Sequence, residues 1–371
     1  MPNYSFLLIL PFYSLIYYGG LYQNPYSIFI GKVIFFLIIL FFFIFNFAIK
    51  KRGLVFSSLI FGYLILSLWT ITNSPNPKVD SFIQQKEAPL KLIAGINPYK
   101  ATYTKIYPEV IPNYFGYLPF SFLFNLPFVL IFGDPRYSII FVNIASALIF
   151  KKLLKNNKNE NLSNIFVFTF LFLPRSFYIL EHMYLDPIIF FFFLLFLFFW
   201  QKKKNTPSFL SFSFFFSFKQ HLLFLLPIFF KKNFFSNFKQ SKNLVVFLLP
   251  FFLPLFFFIL DRKSFLEDTF NFFNPEKIPA PVKMSLSFST FFYQFFPKEN
   301  LLTISLINLI IFLFIYFLIL RSSFTLLEKI IFSLFFFNFF MYHSFFNHYY
   351  LLAQFIFLQI LLEYLKIKIY E

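Results

Sequence analysis

Long uninterrupted apolar runs alternate with short polar segments along most of the chain. The runs predict helices that cross a membrane, because a hydrocarbon core about 30 Å thick requires ~20 helical residues. They are apolar on every side, as in Phe190–Trp200, and lack the alternation that is typical of membrane β-barrel strands. The predicted spans cover residues 5–19, 29–49, 54–72, 114–132, 137–150, 163–180, 187–200, 207–230, 243–260, 301–320, 325–341 and 349–365. The pattern therefore predicts an all-α polytopic integral membrane protein with about 11 to 13 transmembrane helices.

Two regions do not fit a chain that simply crosses from one side of the membrane to the other with each apolar run. The run 207–230 has basic residues at both ends, yet it is only about one span long. We expect it to form two short half-spans that meet near the outer surface at Lys219. The runs 114–132 and 137–150 together need an odd number of crossings, so one of them is expected to be re-entrant or half-buried. Prolines within the first of these runs permit a broken helix there.

The composition supports a membrane protein and excludes a soluble one. Hydrophobic residues make up 59% of the 371 residues and charged residues 13%, and a soluble chain could not cover that much apolar surface. The 74 phenylalanines are expected mainly at lipid-facing positions in place of leucine. The net charge of +17 comes from short basic clusters between apolar runs, which indicates anionic headgroups and not nucleic acid as the partner. The absence of cysteine excludes a disulfide, a thiolate nucleophile and a cysteine-ligated metal.

Basic residues also assign the two sides of the membrane. The clusters expected in the cytoplasm are Lys50-Lys51-Arg52, Lys151-Lys152, Lys202-Lys203-Lys204, Lys231-Lys232, Arg321 and Lys366/Lys368. The outer face of the cytoplasmic membrane then carries the loop 73–113, the turn Glu181–Asp186, the loop 261–300 and the turn His343–His348. Because there is no internal repeat and no separate soluble stretch, we expect one multi-pass domain over residues 1–371.

The loop 73–113 contains the leading candidate for chemistry, Asp80. It lies shortly after the span 54–72, where a carboxylate could take the proton of an attacking hydroxyl as a general base. The structural alternative is a loop aspartate paired with Lys78. The spacing after Asp80 predicts a short helix along the membrane that ends with Gly95 near its C′ position.

Other charged and polar residues have a functional and a structural interpretation. Asp186 could cap the helix that follows it, where a carboxylate meets the helix dipole. Lys219 lies inside an apolar run, where a charge is expensive and suggests function, although a hairpin tip reaching the surface would explain it too. The four histidines all fall on the predicted outer face, but their spacing is not that of a strong metal site.

The order of several motifs resembles a known family. They are Asp80, then Gln85-x-Glu-Ala, then Leu92-Ile93-Ala94-Gly95-Ile96-Asn97-Pro98-Tyr99, then Tyr114-x-x-Tyr117-Leu118-Pro119-Phe120. This order resembles the first external loop of membrane glycosyltransferases of the C-type superfamily (GT-C fold), in the mannosyltransferase and arabinosyltransferase-like branch that uses polyprenyl-phosphate sugars. In that superfamily the external-loop acid is the catalytic base, and Asp80 matches it. Leu118 replaces the first proline of the family's Tyr-Pro-Pro element.

Further likenesses imply the rest of a site. The segment Glu181–Pro187 resembles the family's second acidic site, which holds a metal or positions substrate, so a divalent metal is left open. Phe218–Leu222 resembles an element whose lysine meets the lipid phosphate, which implies this role for Lys219, with Arg175 or Arg136 as helpers. The start of the last helix resembles the family's last-helix motif. The remaining residues implied to bind substrate or phosphate are Gln220, Asn347, His348, Tyr349, Glu87, Asn97 and Tyr99.

The resemblance implies an inverting transfer of a sugar from a polyprenyl-phosphate donor to a glycan, lipid or protein acceptor outside the membrane. No glycine-rich phosphate loop is present, which disfavours a nucleotide-sugar donor. One alternative is a lipid-linked-oligosaccharide flippase or transporter, which would place its charges at mid-membrane depth and often has related halves. Another is a polysaccharide polymerase or ligase, whose late external loop would be rich in Arg and His, whereas 261–300 is poor in both.

Overall fold

Helices form nearly all of the regular structure of this chain. The computed structural model describes residues 4–20, 22–48, 52–106, 112–154, 160–230, 241–270, 285–288, 290, 301–341 and 344–366. Within these residues there is no β-strand. The prediction of an all-α fold is therefore confirmed.

The first half of the chain contains nine α-helices among its described residues. They are α1 (Ile9–Ile16), α2 (Pro25–Phe43), α3 (Arg52–Asn73), α4 (Asp80–Ile93), α5 (Phe120–Phe132), α6 (Tyr137–Leu154), α7 (Glu160–Leu171), α8 (Ser176–Glu181) and α9 (Asp186–Gln201). A 3-10 helix at Tyr4–Leu8 precedes α1, a π-helical turn at Ile44–Ala48 extends α2, and a 3-10 turn covers Pro98–Lys100.

The second half continues with α10 (Asn205–Phe216), α11 (Ser241–Leu248), α12 (Phe252–Leu260), α13 (Arg262–Thr269), α14 (Leu301–Arg321), α15 (Leu326–Phe340) and α16 (Phe346–Leu365). Two 3-10 segments, Gln220–Phe229 and Leu249–Phe251, lie between them.

Six helices in the described part of the chain are long and apolar enough to cross a membrane. They are Pro25–Ala48, Gly53–Asn73, Tyr137–Leu154, Lys242–Leu260, Thr303–Arg321 and Phe346–Leu365. Several of the remaining helices are apolar but shorter, among them α5, α9 and the segment Gln220–Phe229. The chain is thus a multi-pass membrane protein, while the count of 11 to 13 spans and the assignment of sides stay predictions.

The run 207–230 is broken where the lysine interrupts it. Helix α10 ends at Phe216, and the 3-10 segment starts at Gln220. The ring centroids of Phe212 and Phe229 are 4.6 Å apart, whereas a continuous α-helix would separate the two residues by ~25 Å. The chain therefore reverses direction between them, as the predicted pair of half-spans requires, while their meeting near the outer surface stays a prediction.

Prolines shorten two other predicted spans. Helix α5 starts directly after Pro119 and has 13 residues, or ~20 Å, which is too short to cross a membrane. This agrees with the expected re-entrant or half-buried piece. The predicted span 163–180 is instead two helices, α7 and α8, because Pro174 cannot continue a helix and Arg175 has a left-handed backbone (φ 69°). The single span expected there is corrected.

The helices assemble into two compact units, each built from separate stretches of the chain. Unit 1 consists of Met1–Ala94, Tyr103–Pro112 and Phe122–Leu194, and unit 2 of Gly95–Thr102, Asn113–Ser121 and Leu195–Glu371. Because the chain passes between the units several times, neither is a separate stretch of sequence. The single domain expected over residues 1–371 stays a prediction.

In unit 1, α3 packs against α2, α6, α7 and α8. Polar pairs join these helices, as expected where lipid provides no hydrophobic drive for association: Asn143 Nδ2 donates to the Tyr63 hydroxyl (2.7 Å), and Trp69 Nε1 donates to the Ser27 carbonyl (2.9 Å). Phenylalanines fill the contacts, and the rings of Phe42 and Phe168 stack at 4.2 Å with both side chains fully buried. The expectation that phenylalanine mainly faces lipid is thus too narrow, since many lie between helices.

In unit 2, the helices α14, α15 and α16 pack in sequence order, and the segment Gln220–Phe229 packs against α15. The Phe224 and Phe337 rings stack there at 4.7 Å. Helix α13 packs against the turn Pro98–Lys100, and an ion pair of 2.7 Å joins Lys100 to Asp261. The residues Arg262–Thr269, which the sequence placed in a loop, therefore form a packed helix.

Candidate functional site

Asp80 is the first residue of α4, as the polar spacing predicts. Val79 before it is extended (φ −129°, ψ 135°), and a carboxylate in the first helical turn is favoured by the helix dipole. The Asp80 Oδ1 atom accepts a hydrogen bond from the Ser81 N–H (2.7 Å), and the side chain is half-buried. Gly95, with φ 75°, takes the left-handed C′ position after the Ala94 C-cap, so both ends of the predicted helix are confirmed.

A side-chain hydrogen bond joins the start of α4 to the second acidic segment. The buried Ser81 hydroxyl donates to the His182 carbonyl at 2.6 Å. His182 follows Glu181, the last residue of α8, and precedes Asp186, the first residue of α9. The two acidic segments singled out from the sequence are thus neighbours within unit 1.

A left-handed methionine ends α8 and turns the chain toward α9. Met183 has φ 58°, and its N–H donates to the Leu180 carbonyl while the Tyr184 N–H donates to the Ile179 carbonyl, both at 3.1 Å. These two bonds are those of a Schellman motif, in which glycine usually takes the left-handed position. The turn places Asp186, which is fully buried, at the start of α9.

Glu181 is fully buried and lies directly against the backbone of Gly20. A Cβ atom added to Gly20 would overlap the Glu181 Oε2 atom, so the carboxylate would have to move to admit a side chain at position 20. The absence of a side chain there allows the carboxylate to pack between α8 and the segment after α1. Sequence reasoning placed Glu181 in the second acidic site but could not foresee this contact.

His182 is buried as a neutral imidazole among tyrosines. Its ring centroid lies 5.6 Å from that of Tyr22, 3.9 Å from Tyr178 and 5.5 Å from Tyr184. Burial, together with the charge of Arg136, lowers the pKa of His182 to about 4. Nδ1 lies 2.9 Å from the Tyr178 carbonyl, which can only accept, so Nδ1 carries the proton. Nε2 is therefore an acceptor, and it has no hydrogen-bond partner among the described residues.

The two arginines of unit 1 that were expected to help bind phosphate differ in their surroundings. Arg136 is fully buried, and its guanidinium binds the Asp134 carboxylate (2.6 Å) and the Ser74 carbonyl (2.8 Å). These contacts give Arg136 a structural role in holding the turn before α6 against the end of α3. Arg175 is half-buried, and its guanidinium carbon lies 5.7 Å from the ring centroid of Tyr178.

Three residues of the first loop that were expected to bind substrate support the loop itself. The Glu87 carboxylate accepts the Thr104 N–H at 3.1 Å. Asn97 Oδ1 accepts the N–H of Tyr99 at 3.1 Å and so caps the turn Pro98–Lys100. The Tyr99 hydroxyl donates to the Tyr117 carbonyl at 2.9 Å. Their role toward substrate stays a prediction beside these structural contacts.

In unit 2, Lys219 lies at the break between the two half-spans and is only 4% exposed. Its neighbour Gln220 donates through Nε2 to the Thr269 carbonyl (2.5 Å) and the Gly116 carbonyl (3.3 Å). The Leu118 N–H donates to the Phe218 carbonyl (3.1 Å), which ties the start of the α5 segment to the same break. Gln220 thus acts at least as a structural link.

The start of α16 brings two histidines together. The His348 ring lies 5.5 Å from that of His221, and its Nδ1 accepts the Phe345 N–H at 3.2 Å. Asn347 is buried, and the Tyr349 hydroxyl donates to the Leu286 carbonyl at 2.7 Å. His343, which was expected at the same face, lies outside the described residues.

A buried acid in α13 is one that sequence reasoning missed. Asp268 is 6% exposed, and its carboxylate accepts the Phe115 N–H at 2.8 Å. Burial, together with the charge of Glu267, raises the pKa of Asp268 to about 7. Phe265, Asp268 and Thr269 are all buried, and their spacing in the sequence is that of one helical face. This spacing was a signal of a helix that sequence reasoning did not use, because the motifs of the resemblance do not extend to this loop.

The predicted site residues fall into both units. Asp80, Glu87, Glu181 and Asp186 belong to unit 1, whereas Asn97, Tyr99, Lys219, Gln220, Asn347, His348 and Tyr349 belong to unit 2. In the described part of the chain, no three or more His, Asp and Glu side chains are grouped so as to hold a metal ion. The divalent metal left open by the resemblance therefore stays open.

Comparison of the chain with protein-family models, with curated proteins and with solved structures found no match. The likeness to the GT-C superfamily therefore rests on the sequence motifs alone. What the structure adds is the arrangement of unit 1 around Asp80, Ser81 and His182.

Proposed function

We propose that this protein is a membrane glycosyltransferase that moves a sugar from a polyprenyl-phosphate donor to an acceptor hydroxyl, with Asp80 as the general base. The observation that supports this most is the hydrogen bond from Ser81 to the His182 carbonyl. It joins the residue after Asp80 to the segment Glu181–Asp186 across 101 positions of sequence. Two acidic segments that resemble the family's two acidic sites thus meet in one unit.

Asp80 starts a helix, whereas the alternative of a pairing with Lys78 assumed an aspartate in a loop. It is half-buried at the start of a helix whose first turn is fixed to the turn between α8 and α9. The backbone carbonyl of Lys78 accepts a hydrogen bond from the Tyr22 hydroxyl at 2.7 Å, so the residues before Asp80 are fixed as well. A carboxylate on such a rigid support keeps its orientation toward a reacting hydroxyl.

The reaction is a single displacement. The Asp80 carboxylate takes the proton of the acceptor hydroxyl while the hydroxyl oxygen bonds to the anomeric carbon. The bond from that carbon to the phosphate oxygen breaks, and its electron pair leaves with the polyprenyl phosphate. The configuration of the sugar is inverted, and no protein nucleophile takes part. Glu181 and Asp186, both fully buried, shape the site and do not exchange protons with the acceptor.

The apolar spans provide the route for the lipid donor. A polyprenyl chain can lie against membrane helices while its phosphate and sugar remain at the polar ends of those helices. The proposed location is the outer face of the cytoplasmic membrane, and the acceptor is a glycan, a lipid or a protein. The phosphate-binding role implied for Lys219 in unit 2 stays a prediction.

The experiment is a transfer assay with the full chain in lipid nanodiscs. Polyprenyl-phosphate-linked hexoses and pentoses, each carrying a radiolabel on the sugar, are offered with membrane glycan and glycolipid acceptors. We expect label to appear in an acceptor with the opposite anomeric configuration, measured by NMR on the isolated product. Retention of configuration, or transport of the intact donor without sugar transfer, would contradict the proposal.

A further inference from the structure

A single lysine interrupts the long apolar helix α2. The span Pro25–Ala48, which includes the π-helical turn, has 24 residues, and Lys32 is its only charged residue. A charge within a membrane span is expensive, so such residues normally pair with another group or mark a functional site. Lys32 occurs in none of the motifs of the resemblance, and the sequence assigned it no role.

Lys32 borders the side of α2 that faces away from the rest of unit 1. Phe29 and Phe36, about one turn before and one turn after it on the helix surface, are 64% and 51% exposed. Lys32 itself is half-buried. The buried residues of α2 form a different stripe, which consists of Ser27, Gly31, Phe35, Ile39 and Phe42. In a bilayer, lipid is therefore a direct neighbour of the Lys32 side chain.

A lysine in another membrane helix shows how the protein itself can stabilise such a charge. Lys329 in α15 is 6% exposed, and its ammonium donates to the Leu320 carbonyl at 2.6 Å. That carbonyl lies in the last turn of α14, where the helix dipole favours a cation. No hydrogen bond, ion pair or cation–π contact joins Lys32 to the residues that the structure describes. Its exposed side leaves lipid and water to stabilise the charge.

The position of Lys32 along α2 brings its ammonium within reach of lipid headgroups. The 24 residues of the span measure ~36 Å, somewhat more than a hydrocarbon core of about 30 Å. Lys32 lies only ~10 Å along the axis from Pro25, the first residue. Side chains in a helix lean toward its N-terminus, and a lysine stem can lie along apolar surface while its head reaches the polar layer. Tyr26, 73% exposed in the first turn, is typical of residues at that layer.

The polar layer at this depth contains the phosphate groups of phospholipids. An ammonium carries three hydrogen-bond donors and a compact positive charge, and phosphate oxygens accept such bonds. A headgroup with a net negative charge is attracted to a nearby lysine more strongly than a zwitterionic one, because no second cation opposes the lysine. Charge thus favours an anionic phospholipid as the neighbour of Lys32.

We propose that Lys32 binds the phosphate group of an anionic phospholipid at the membrane surface where α2 begins. The Ser27 hydroxyl donates to Asn73 Oδ1 at 2.6 Å and ties this end of α2 to the end of α3, so the bound lipid lies at the surface where α3 ends. The proposal does not rest on the transferase proposal, because this lipid is a resident of the bilayer and not a substrate.

The test measures lipid binding at this face with the full chain in nanodiscs. The reference chain carries Phe29→Trp, which places a fluorescent side chain one turn from Lys32, and Trp200→Phe, which removes one of the two native tryptophans. Phosphatidylglycerol brominated near the top of its acyl chains quenches a tryptophan that it contacts. Competition with unlabelled phosphatidylcholine gives the relative affinity of the anionic lipid. The same chain without Phe29→Trp provides the background from Trp69.

We expect the reference chain to prefer phosphatidylglycerol over phosphatidylcholine about fivefold at this face. Lys32→Leu should abolish the preference, and Lys32→Arg, which keeps the charge, should retain it. Lys203→Leu is the matched control, because it removes the charge of an exposed lysine outside α2. It should leave the preference at the Phe29→Trp probe unchanged.

Equal affinity of the reference chain for the two lipids, or a preference that survives Lys32→Leu, would overturn the proposal. An equal loss in Lys203→Leu would overturn it too, because the preference would then reflect net charge. In phosphatidylcholine nanodiscs, Lys32→Leu should melt at the same temperature as the reference chain or higher, since a charge leaves an apolar span. A marked fall would show that Lys32 pairs within the protein. If Lys32→Leu cannot be purified, Lys32→Gln decides by the same comparison of lipids.

Discussion

The Ser81 hydroxyl donates a 2.6 Å hydrogen bond to the backbone carbonyl of His182. Ser81 is 1% exposed and follows the candidate base, while His182 lies between two buried acids, Glu181 and Asp186. One hydroxyl therefore fixes the first turn of α4 against the turn between α8 and α9. We infer that the orientation of Asp80 depends on this contact.

Removal of this hydroxyl should lower both stability and transfer. Ser81→Ala leaves a buried carbonyl without its donor, which costs about 1–3 kcal/mol of unfolding free energy. We expect a lower melting temperature and a reduced kcat for sugar transfer, measured on the same nanodisc preparation.

Two variants control for this change. Ser81→Thr keeps a hydroxyl and should recover most of the activity. Ser58→Ala removes a hydroxyl that donates to the Val55 carbonyl within α3 (2.8 Å), and it should affect neither measurement. Normal transfer by Ser81→Ala would show that Asp80 does not need this support.

The contact between Gly20 and Glu181 predicts a strong coupling between them. A methyl group at position 20 would overlap the carboxylate, so Gly20→Ala should displace the buried Glu181 side chain and lower the melting temperature. In Glu181→Ala the space is empty, and adding Gly20→Ala should then cost little further. A double-mutant cycle on the melting temperature checks this, and additive effects of the two changes would contradict a direct contact between the two residues.

Replacement of a left-handed residue by glycine should have opposite effects on stability at two positions. Lys203 is exposed and has φ 54°, so Lys203→Gly should raise stability by about 0.5–1 kcal/mol. Met183 has φ 58° but is fully buried. Met183→Gly should lower stability by about 1–4 kcal/mol, because the lost packing of ~2–5 kcal/mol exceeds the relief of ~1 kcal/mol. Thermal unfolding measures both, and a loss of stability in Lys203→Gly would contradict the strain argument.

Asp268 predicts a pH dependence of stability. Its pKa is raised from the ordinary value of 3.8 to about 7, so between these values the folded chain binds a proton that the unfolded chain has lost. This contribution to stability is fully present below pH 3.8 and is lost as pH rises through about 7. We expect the melting temperature to fall over this range in the parent chain.

The variant Asp268→Asn keeps an acceptor for the Phe115 N–H and has no charge to lose. It should show a flatter pH profile than the parent and higher stability above about pH 7. Glu160→Gln changes an exposed acid in the first turn of α7 and serves as the control. Its melting temperature should depend on pH as that of the parent does. Parallel curves of melting temperature against pH for Asp268→Asn and the parent would contradict a raised pKa of Asp268.

The sequence predicted the helix ends and chain breaks that depend on neighbouring residues. The polar start at Asp80 and the glycine at position 95 marked the ends of α4, because dipole and backbone preferences act within a few residues. A lysine in an apolar run indicated the break at Lys219. The break at Arg175 was missed, although Pro174 and the charge of Arg175 interrupt the apolar run 163–180 in a similar way.

Long-range contacts could not be foreseen in this way. The burial of Asp268 comes from packing of α13 against the segment that contains Phe115, and nothing near Asp268 in sequence indicates that partner. The link from Ser81 to His182 spans 101 positions, and the motifs suggested two acidic segments without placing them together. Tertiary packing decides such pairs, and a single sequence carries no local signal for it.

The most direct test of the central claim is sugar transfer by Asp80→Asn. The amide keeps the size of the side chain but cannot take a proton, so we predict a fall in kcat of at least ~100-fold with unchanged folding and unchanged binding of farnesyl phosphate. Glu160→Gln, which removes an acid elsewhere, should transfer at the parental rate. Full transfer by Asp80→Asn in the same nanodisc assay would contradict the assignment of Asp80 as the base.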